Sequence, residues 1–325
     1  QTNKIYIDQD GSHVESLSVQ QTATSANNLV GSVASPMVVG GRWSSITIDQ
    51  TNNGTASNSI NGAVHASRTA GANASLALTQ TGGGNAMTLS VGTANAPLAD
   101  PSIVLQQIGN GNSATYTLTG STSTSVSETT TGDDNAVTVN SSGSGYANTT
   151  AITGNSNQLS LTRSGGAYTD NVTIAGDSNT VSISAESTGT NTATVNISGA
   201  QAANFNSVTA TQSGSNSSLA ASIDGSNNQV NVTQTMVDNG SVNVNFVGNG
   251  NTLTATQTAA NTSATVSASG NSNTFTLAQA GARALANISV SGNSLNVNVT
   301  QNAADSTYRL TGALQTGTAV NVTQN

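Results

Sequence analysis

The chain has 325 residues, of which only 6% are charged and 3% aromatic, with no cysteine and a formal net charge of −8. Set against a usual charged fraction of about 25%, this composition excludes a large irregular apolar core, and three prolines with so little charge do not fit a disordered chain. What remains is a repetitive stack with a thin core of small side chains.

The same numbers narrow the function. The six basic residues, Lys4, Arg42, Arg68, Arg163, Arg283 and Arg309, are too scattered to neutralise a run of phosphates, so no nucleic-acid partner is expected. Absence of cysteine excludes thiol catalysis, Cys-ligated zinc and disulfide stapling. No run approaches the roughly 20 apolar residues of a membrane-spanning helix, so no membrane insertion is expected. The sequence opens on Gln1 rather than Met, from which a removed leader and secretion are expected.

In chain order, residues 1–108 carry irregular repeats. Ile5 and Ile7 alternate ahead of Gly11. Leu17-Val19-Gln21, Ser44-Ile46-Ile48-Gln50 and Leu76-Leu78-Gln80 share an apolar-x-apolar-x-Gln phrase, and Asn85-Met87-Leu89 keeps half of it. Segments near 31–42 (with Pro36) and 92–102 (with Pro97 and Pro101) read as loop insertions, because proline removes a ladder donor.

Residues 109–312 are regular. Gly109, Gly132, Gly154, Gly176, Gly199, Gly225, Gly248, Gly270 and Gly292 are separated by 22 or 23 residues, with one gap of 26. Each glycine closes one alternating strand and opens a polar turn such as GDDN (132–135), GNSN (154–157) or GNGN (248–251), whose residues favour the positive φ of tight turns. A first-type strand follows, Asn-x-apolar-x-apolar-x-Gln, as in Asn251-Leu253-Ala255-Gln257. After a second turn, a second-type strand such as Ala264-Val266-Ala268 leads to the next glycine. Strict alternation is period two, hence strands with one buried face. Residues 313–325 form a terminal half-repeat, Val320-Val322-Gln324.

The expected fold is therefore all-β: one repeat domain over 1–325, a cross-β-like β-solenoid of stacked strand–turn–strand arches. Roughly 14 or 15 rungs at about 4.8 Å make a rod of about 70 Å. Expected apolar core residues are Val208, Val230, Val232, Leu253, Phe275, Leu277, Ile288, Val290, Val297 and Val299. Amides share their parity, and burying an unpartnered amide costs about 1–3 kcal/mol. Stacking solves this by letting like amides bond from rung to rung. The expected ladder is Gln50, Gln80, Asn206, Gln212, Asn228, Gln234, Asn251, Gln257, Asn273, Gln279, Gln301 and Gln324, interrupted at Ser141, Arg163 and Ala185.

These phrases resemble curlin repeats, the units of bacterial curli fibres, which read roughly Ser-x5-Gln-x-Gly-x-x-Asn-x-Ala-x5-Gln. The Ser/Asn-x5-Gln half is matched by Ser44/Gln50, Asn206/Gln212, Asn228/Gln234, Asn251/Gln257 and Asn273/Gln279, and the Gln-x-Gly link by Gln212-Ser213-Gly214 and Gln279-Ala280-Gly281. The second half departs from the pattern, with glycine usually standing for the closing Gln. The resemblance implies an extracellular functional amyloid of biofilm matrix and cell adhesion. It also implies secretion unfolded, with nucleation partners at the cell surface.

Ile5 and Ile7 read as a second-type strand, and Val320 and Val322 as a first-type strand. The two half-repeats are expected to complete a rung between successive subunits, giving a homopolymer through a non-closing head-to-tail contact. No enzyme and no cofactor is expected. His13 and His65 read as surface strand residues, the Asp133–Asp134 pair as a turn, and sequons such as Asn171-Val172-Thr173 as products of composition. The alternative is a monomeric or trimeric β-solenoid binding module, an ice-binding surface or an adhesin or tail-fibre shaft. An ice-binding surface needs a flat threonine array, whereas threonine, as at Thr115–Thr119, reads as varying in register.

Overall fold

A rung with two short strands buries too little to stand alone, so alternation forces each strand to seek its neighbours in adjacent rungs. The computed structural model describes residues 3–9, 13–23, 28–32, 34, 37–39, 42–52, 58–64, 74–82, 84–92, 101–176, 178–198, 206–225, 227–235, 238–248, 250–258, 261–270, 272–280, 283–291, 294–302, 305–313 and 319–324. Every regular element among them is a β-strand. The chain divides into two compact units, Gln1–Ser164 and Gly165–Asn325.

In the N-terminal unit the strands fall into two parallel rows. The first row runs Asn3–Ile5, Asn28–Val30, Ser59–Val64, Met87–Val91, Ala114–Thr122 and Val137–Ser144. The second runs His13–Ala23, Arg42–Asn52, Ser75–Thr81, Ser102–Ile108, Ser125–Gly132 and Tyr146–Gly154. Within the span read as a loop near 31–42, Met37–Val39 is a strand, paired with Gly62, Ala63 and Val64, and Met37 and Val39 are fully buried. Rungs here are long: successive glutamines of the second row lie 29, 30 and 27 residues apart.

The C-terminal unit repeats the plan at 22 or 23 residues per rung over most of its length. Its first row runs Val181–Ser187, Val208–Ser213, Val230–Thr235, Thr252–Thr258, Thr274–Gln279, Asn296–Thr300 and Ala319–Thr323. Its second row runs Tyr168–Gly176, Asn191–Ile197, Ser218–Asp224, Ser241–Val247, Ser263–Ser269, Leu285–Ser291 and Thr307–Ala313. Among the described residues the second row has six strands in the N-terminal unit and seven in the C-terminal unit, thirteen in all against the 14 or 15 rungs expected, because the early rungs are longer.

Pairing is in register, so like positions stack. Val230 pairs with Leu253, and Leu253 with Phe275, in the first row. Val244 pairs with Val266, and Val266 with Ile288, in the second. The rows meet through their inward side chains. Phe246 of the second row stacks on Phe275 of the first, with ring centroids 6.3 Å apart and planes at 13°. All ten residues expected in the apolar core lie at 3% exposure or less. The architecture is a β-solenoid of parallel strands.

Candidate functional site: buried amide ladders

Many rungs begin with Gly-x-x-Asn, and the structure shows why that spacing recurs. The asparagine folds back on its own turn: Nδ2 of Asn112, Asn135 and Asn157 donates to the carbonyl of the glycine three residues earlier at 2.7, 2.9 and 2.8 Å. The same amide donates to the asparagine of the preceding rung, from Asn112 to Asn85 (2.8 Å), Asn135 to Asn112 (2.7 Å) and Asn157 to Asn135 (2.6 Å). In the C-terminal unit the line runs Asn206 to Asn179 (2.7 Å), Asn228 to Asn206 (2.7 Å), Asn251 to Asn228 (2.5 Å) and Asn273 to Asn251. Both amide hydrogens are used, one for the turn and one for the stack.

The glycine is required by the stack as much as by its dihedral. Gly132 has φ of 144°, and a Cβ there would sit 1.6 Å from the carbonyl oxygen of Gly109 below it. Of the predicted turn glycines, Gly109, Gly132, Gly154, Gly176, Gly225, Gly248 and Gly270 are placed at these turns, while Gly199 and Gly292 lie outside the described residues.

The glutamines form lines separate from the asparagines, like stacking on like. In the N-terminal unit they stand on the second row: Gln50 donates to Gln21 (2.8 Å), Gln80 to Gln50 (3.0 Å) and Gln107 to Gln80 (3.0 Å). In the C-terminal unit they stand on the first row: Gln234 donates to Gln212 (2.9 Å), Gln257 to Gln279 (2.7 Å), Gln279 to Gln301 (2.8 Å) and Gln301 to Gln324 (3.4 Å). Apolar-x-apolar-x-Gln has the same parity on either row, so the phrase alone does not tell which row carries it. Most of these glutamines also tie the following turn, as when Gln80 donates to the carbonyl of Ala86 at 2.8 Å and Gln107 to that of Ser113 at 2.9 Å. All the predicted ladder residues are buried except Gln324, which is exposed.

Where a ladder stops, an acceptor is stranded. Gln107 pairs in register with Thr130, and its Oε1 has no donor. Leu295 stands where earlier rungs have asparagine, and Asn273 Oδ1 is likewise unpartnered. Donor direction reverses between Gln234 and Gln257, which are register partners, and both Oε1 atoms lack a donor.

Past Gln107 the interior of the N-terminal unit turns polar. Glu128, 1% exposed, accepts from the Thr130 hydroxyl at 2.7 Å, and its Oε2 has no partner. Burial pushes its carboxyl up to about 7, against the opposing pull of the nearby Thr130 and Tyr116 hydroxyls. The Tyr116 phenol, fully buried with its hydroxyl 3.3 Å from Met87 Sδ, is pushed well above its ordinary 10 by burial and then by the Glu128 charge. Arg163, at an expected ladder break, is 2% exposed and donates from Nη1 to the Val139 carbonyl at 3.0 Å.

The predicted junction residues need a correction. Asn3–Ile5 pairs with Asn28–Val30 and so belongs to the first row, not the second, and it does not supply the second-type half of a rung. The alternation of Ile5 and Ile7 has the same period in either row. Ile7 instead accepts from the amide of Val38 at 2.8 Å. Ala319–Thr323 has a strand neighbour on one side among the described residues, with Val320 44% exposed and Val322 half-buried. The side chain of His13, and His65 altogether, lie outside the described residues.

Threonine is also more ordered than its sequence positions suggest. In the C-terminal unit Thr209, Asn231, Thr254, Thr276 and Asn298 stack in one outward line, and Thr211, Thr233 and Thr256 in the next. Sequence reasoning missed Gln21, Gln107 and the asparagines 85, 112, 135, 157 and 179 as ladder members. The signal was present: Gln80-x-Gly82-x-x-Asn85 and Gln107-x-Gly109-x-x-Asn112 carry both ladders in one phrase.

Two parallel rows closed by glycine turns and wired by stacked amides define a repeat protein of the β-solenoid class. Residues 248–281 match the curlin associated repeat family, across Gly248-x-x-Asn251, Gln257, Gly270-x-x-Asn273 and Gln279. Over that span, 34 of the 325 residues, the chain is similar to a curlin repeat. No curated protein and no solved structure matches the chain at a significant level. Among the described residues there is no cluster of metal-ligating side chains, and no helix long and apolar enough to cross a membrane.

Proposed function

We propose that the chain is a structural subunit of an extracellular fibre, a functional amyloid of biofilm matrix and adhesion, built by stacking one copy on another. That reading includes one repeat domain throughout, secretion before folding, no catalytic role and partners at the cell surface that nucleate growth. The observation that carries it is the in-register parallel stacking, in which runs of successive rungs offer one another the same row of backbone groups, asparagines or glutamines. An edge strand with free backbone groups is a template for another chain, and Ala319–Thr323, with Val320 and Val322, is such a strand among the described residues. The curlin repeat match supports the same reading. Negative-stain imaging of purified protein tests it: long unbranched filaments are expected, and discrete particles at all concentrations would refute it.

The outward hydroxyl lines at Thr209, Thr254 and Thr276 and at Thr211, Thr233 and Thr256 favour a second reading, a surface that binds an ordered lattice such as ice. Ice-recrystallisation inhibition by unassembled protein, lost in Thr254→Lys, would favour it over the fibre.

A further inference from the structure

The interior of a stacked solenoid has one chemical rule, that each polar group meets its like in the next rung. Glu128 breaks it. In register below it is Leu105 and above it is Thr150, so no second carboxyl or amide shares its line. Its own strand offers Thr130, and one carboxylate oxygen remains unpartnered at 1% exposure.

The groups that face it can be named strand by strand. Ser102–Ile108 presents Ile103, Leu105 and Gln107; Tyr146–Gly154 presents Asn148, Thr150 and Ile152. Across the core, Ala114–Thr122 presents Tyr116, Met87–Val91 presents Met87 and Leu89, and Val137–Ser144 presents Val139 and Ser141. Tyr116 is the only titratable side chain among them, and none carries a positive charge. The buried Arg163 lies on the strand beyond, engaged with the Val139 carbonyl. A buried carboxylate without a cation or a full set of donors is costly, whereas a neutral carboxyl can be held there.

We propose that Glu128 is a protonation switch in the N-terminal unit: neutral, it lets the rungs around Tyr116 close, and ionised, it loosens them. The inference concerns folding of this unit and holds whether or not the chain forms fibres. The direction follows from linkage. The folded carboxyl titrates near 7 against an ordinary 4.5, so the stabilisation is fully present below pH 4.5 and is lost as pH rises through about 7. Since pH 5.5 lies about 1.5 units below the folded value, the folded-to-unfolded ratio should fall roughly 30-fold between pH 5.5 and pH 8.5.

The test is urea unfolding of the full-length soluble chain at these two pH values, followed by the fluorescence of its single tryptophan, Trp43, which lies in the N-terminal unit. Two variants remove the proton: Glu128→Gln, and Glu128→Leu, which continues the apolar line of Leu78 and Leu105. A third, His13→Gln with His65→Gln, removes the other side chains that ordinarily titrate in this window. The expected result is a fall of roughly 30-fold in the unaltered chain and the histidine variant, and a flat profile in whichever Glu128 variant folds. A flat profile in the unaltered chain, a slope that survives in a Glu128 variant, or one abolished by the histidine changes would overturn the proposal.

Discussion

Replacing Gln80 by methionine removes one interior link of the N-terminal glutamine ladder while keeping side-chain length. Three bonds go with it: Gln80 donates to Gln50 Oε1 at 3.0 Å and to the Ala86 carbonyl at 2.8 Å, and accepts from Gln107 at 3.0 Å. The Ala86 carbonyl keeps the Ile60 amide and Gln107 keeps its bond to the Ser113 carbonyl, so the groups left bare are Gln50 Oε1 and the second N–H of the Gln107 amide. At about 1–3 kcal/mol for each stranded buried group, less the relief of no longer burying an amide, the cost should be about 2–4 kcal/mol. Gln324, exposed and joined by one 3.4 Å bond, is the matched control, and Gln324→Met should stay within about 0.5 kcal/mol. Urea unfolding of the soluble chain at fixed pH, read by Trp43 fluorescence for Gln80→Met and by far-ultraviolet dichroism for both, measures the difference. Equal and negligible losses would refute the view that stacked amides hold the rungs.

Gly132→Ala should abolish folding of its rungs, because its Cβ would meet the Gly109 carbonyl at 1.6 Å; Gly111→Ala, whose nearest contact is 3.4 Å, should be tolerated, and hydrogen exchange distinguishes them. Arg283 holds φ of 64° in a second turn, so Arg283→Gly should stabilise by about 0.5–1 kcal/mol in thermal unfolding. Burial raises the Tyr116 phenol, so the unfolded chain ionises first, and stability should be lost as pH climbs above 10. Tyrosinate absorbance should then appear together with the loss of β-structure. Tyrosine ionising freely while the strands persist would contradict that.

Much of this was legible in the sequence, because a solenoid writes its geometry as a period. Alternation fixed inward and outward faces, so residues such as Val232, Leu253 and Ile288 could be read as core. The glycine spacing gave the rung, since a stack admits Gly132 and little else. Period two is nonetheless blind to which row a strand joins. Gln50 and Gln80 read like Gln257, yet stand on the other strand of the arch, and Asn3–Ile5 passed for a second-type strand for the same reason. Met37–Val39 was hidden by Pro36, which read as a loop although a strand begins at the next residue. Glu128 carried no signal at all: a lone acidic residue on a Ser/Thr-rich strand shows its parity, but its burial depends on what stacks above and below.

X-ray diffraction from aligned filaments tests the central claim most directly, since rungs that continue from molecule to molecule repeat the strand spacing along the fibre. A meridional reflection near ~4.8 Å with an equatorial one near ~10 Å is the predicted pattern. Filaments lacking the meridional reflection, or a protein that never forms filaments to align, would contradict the account.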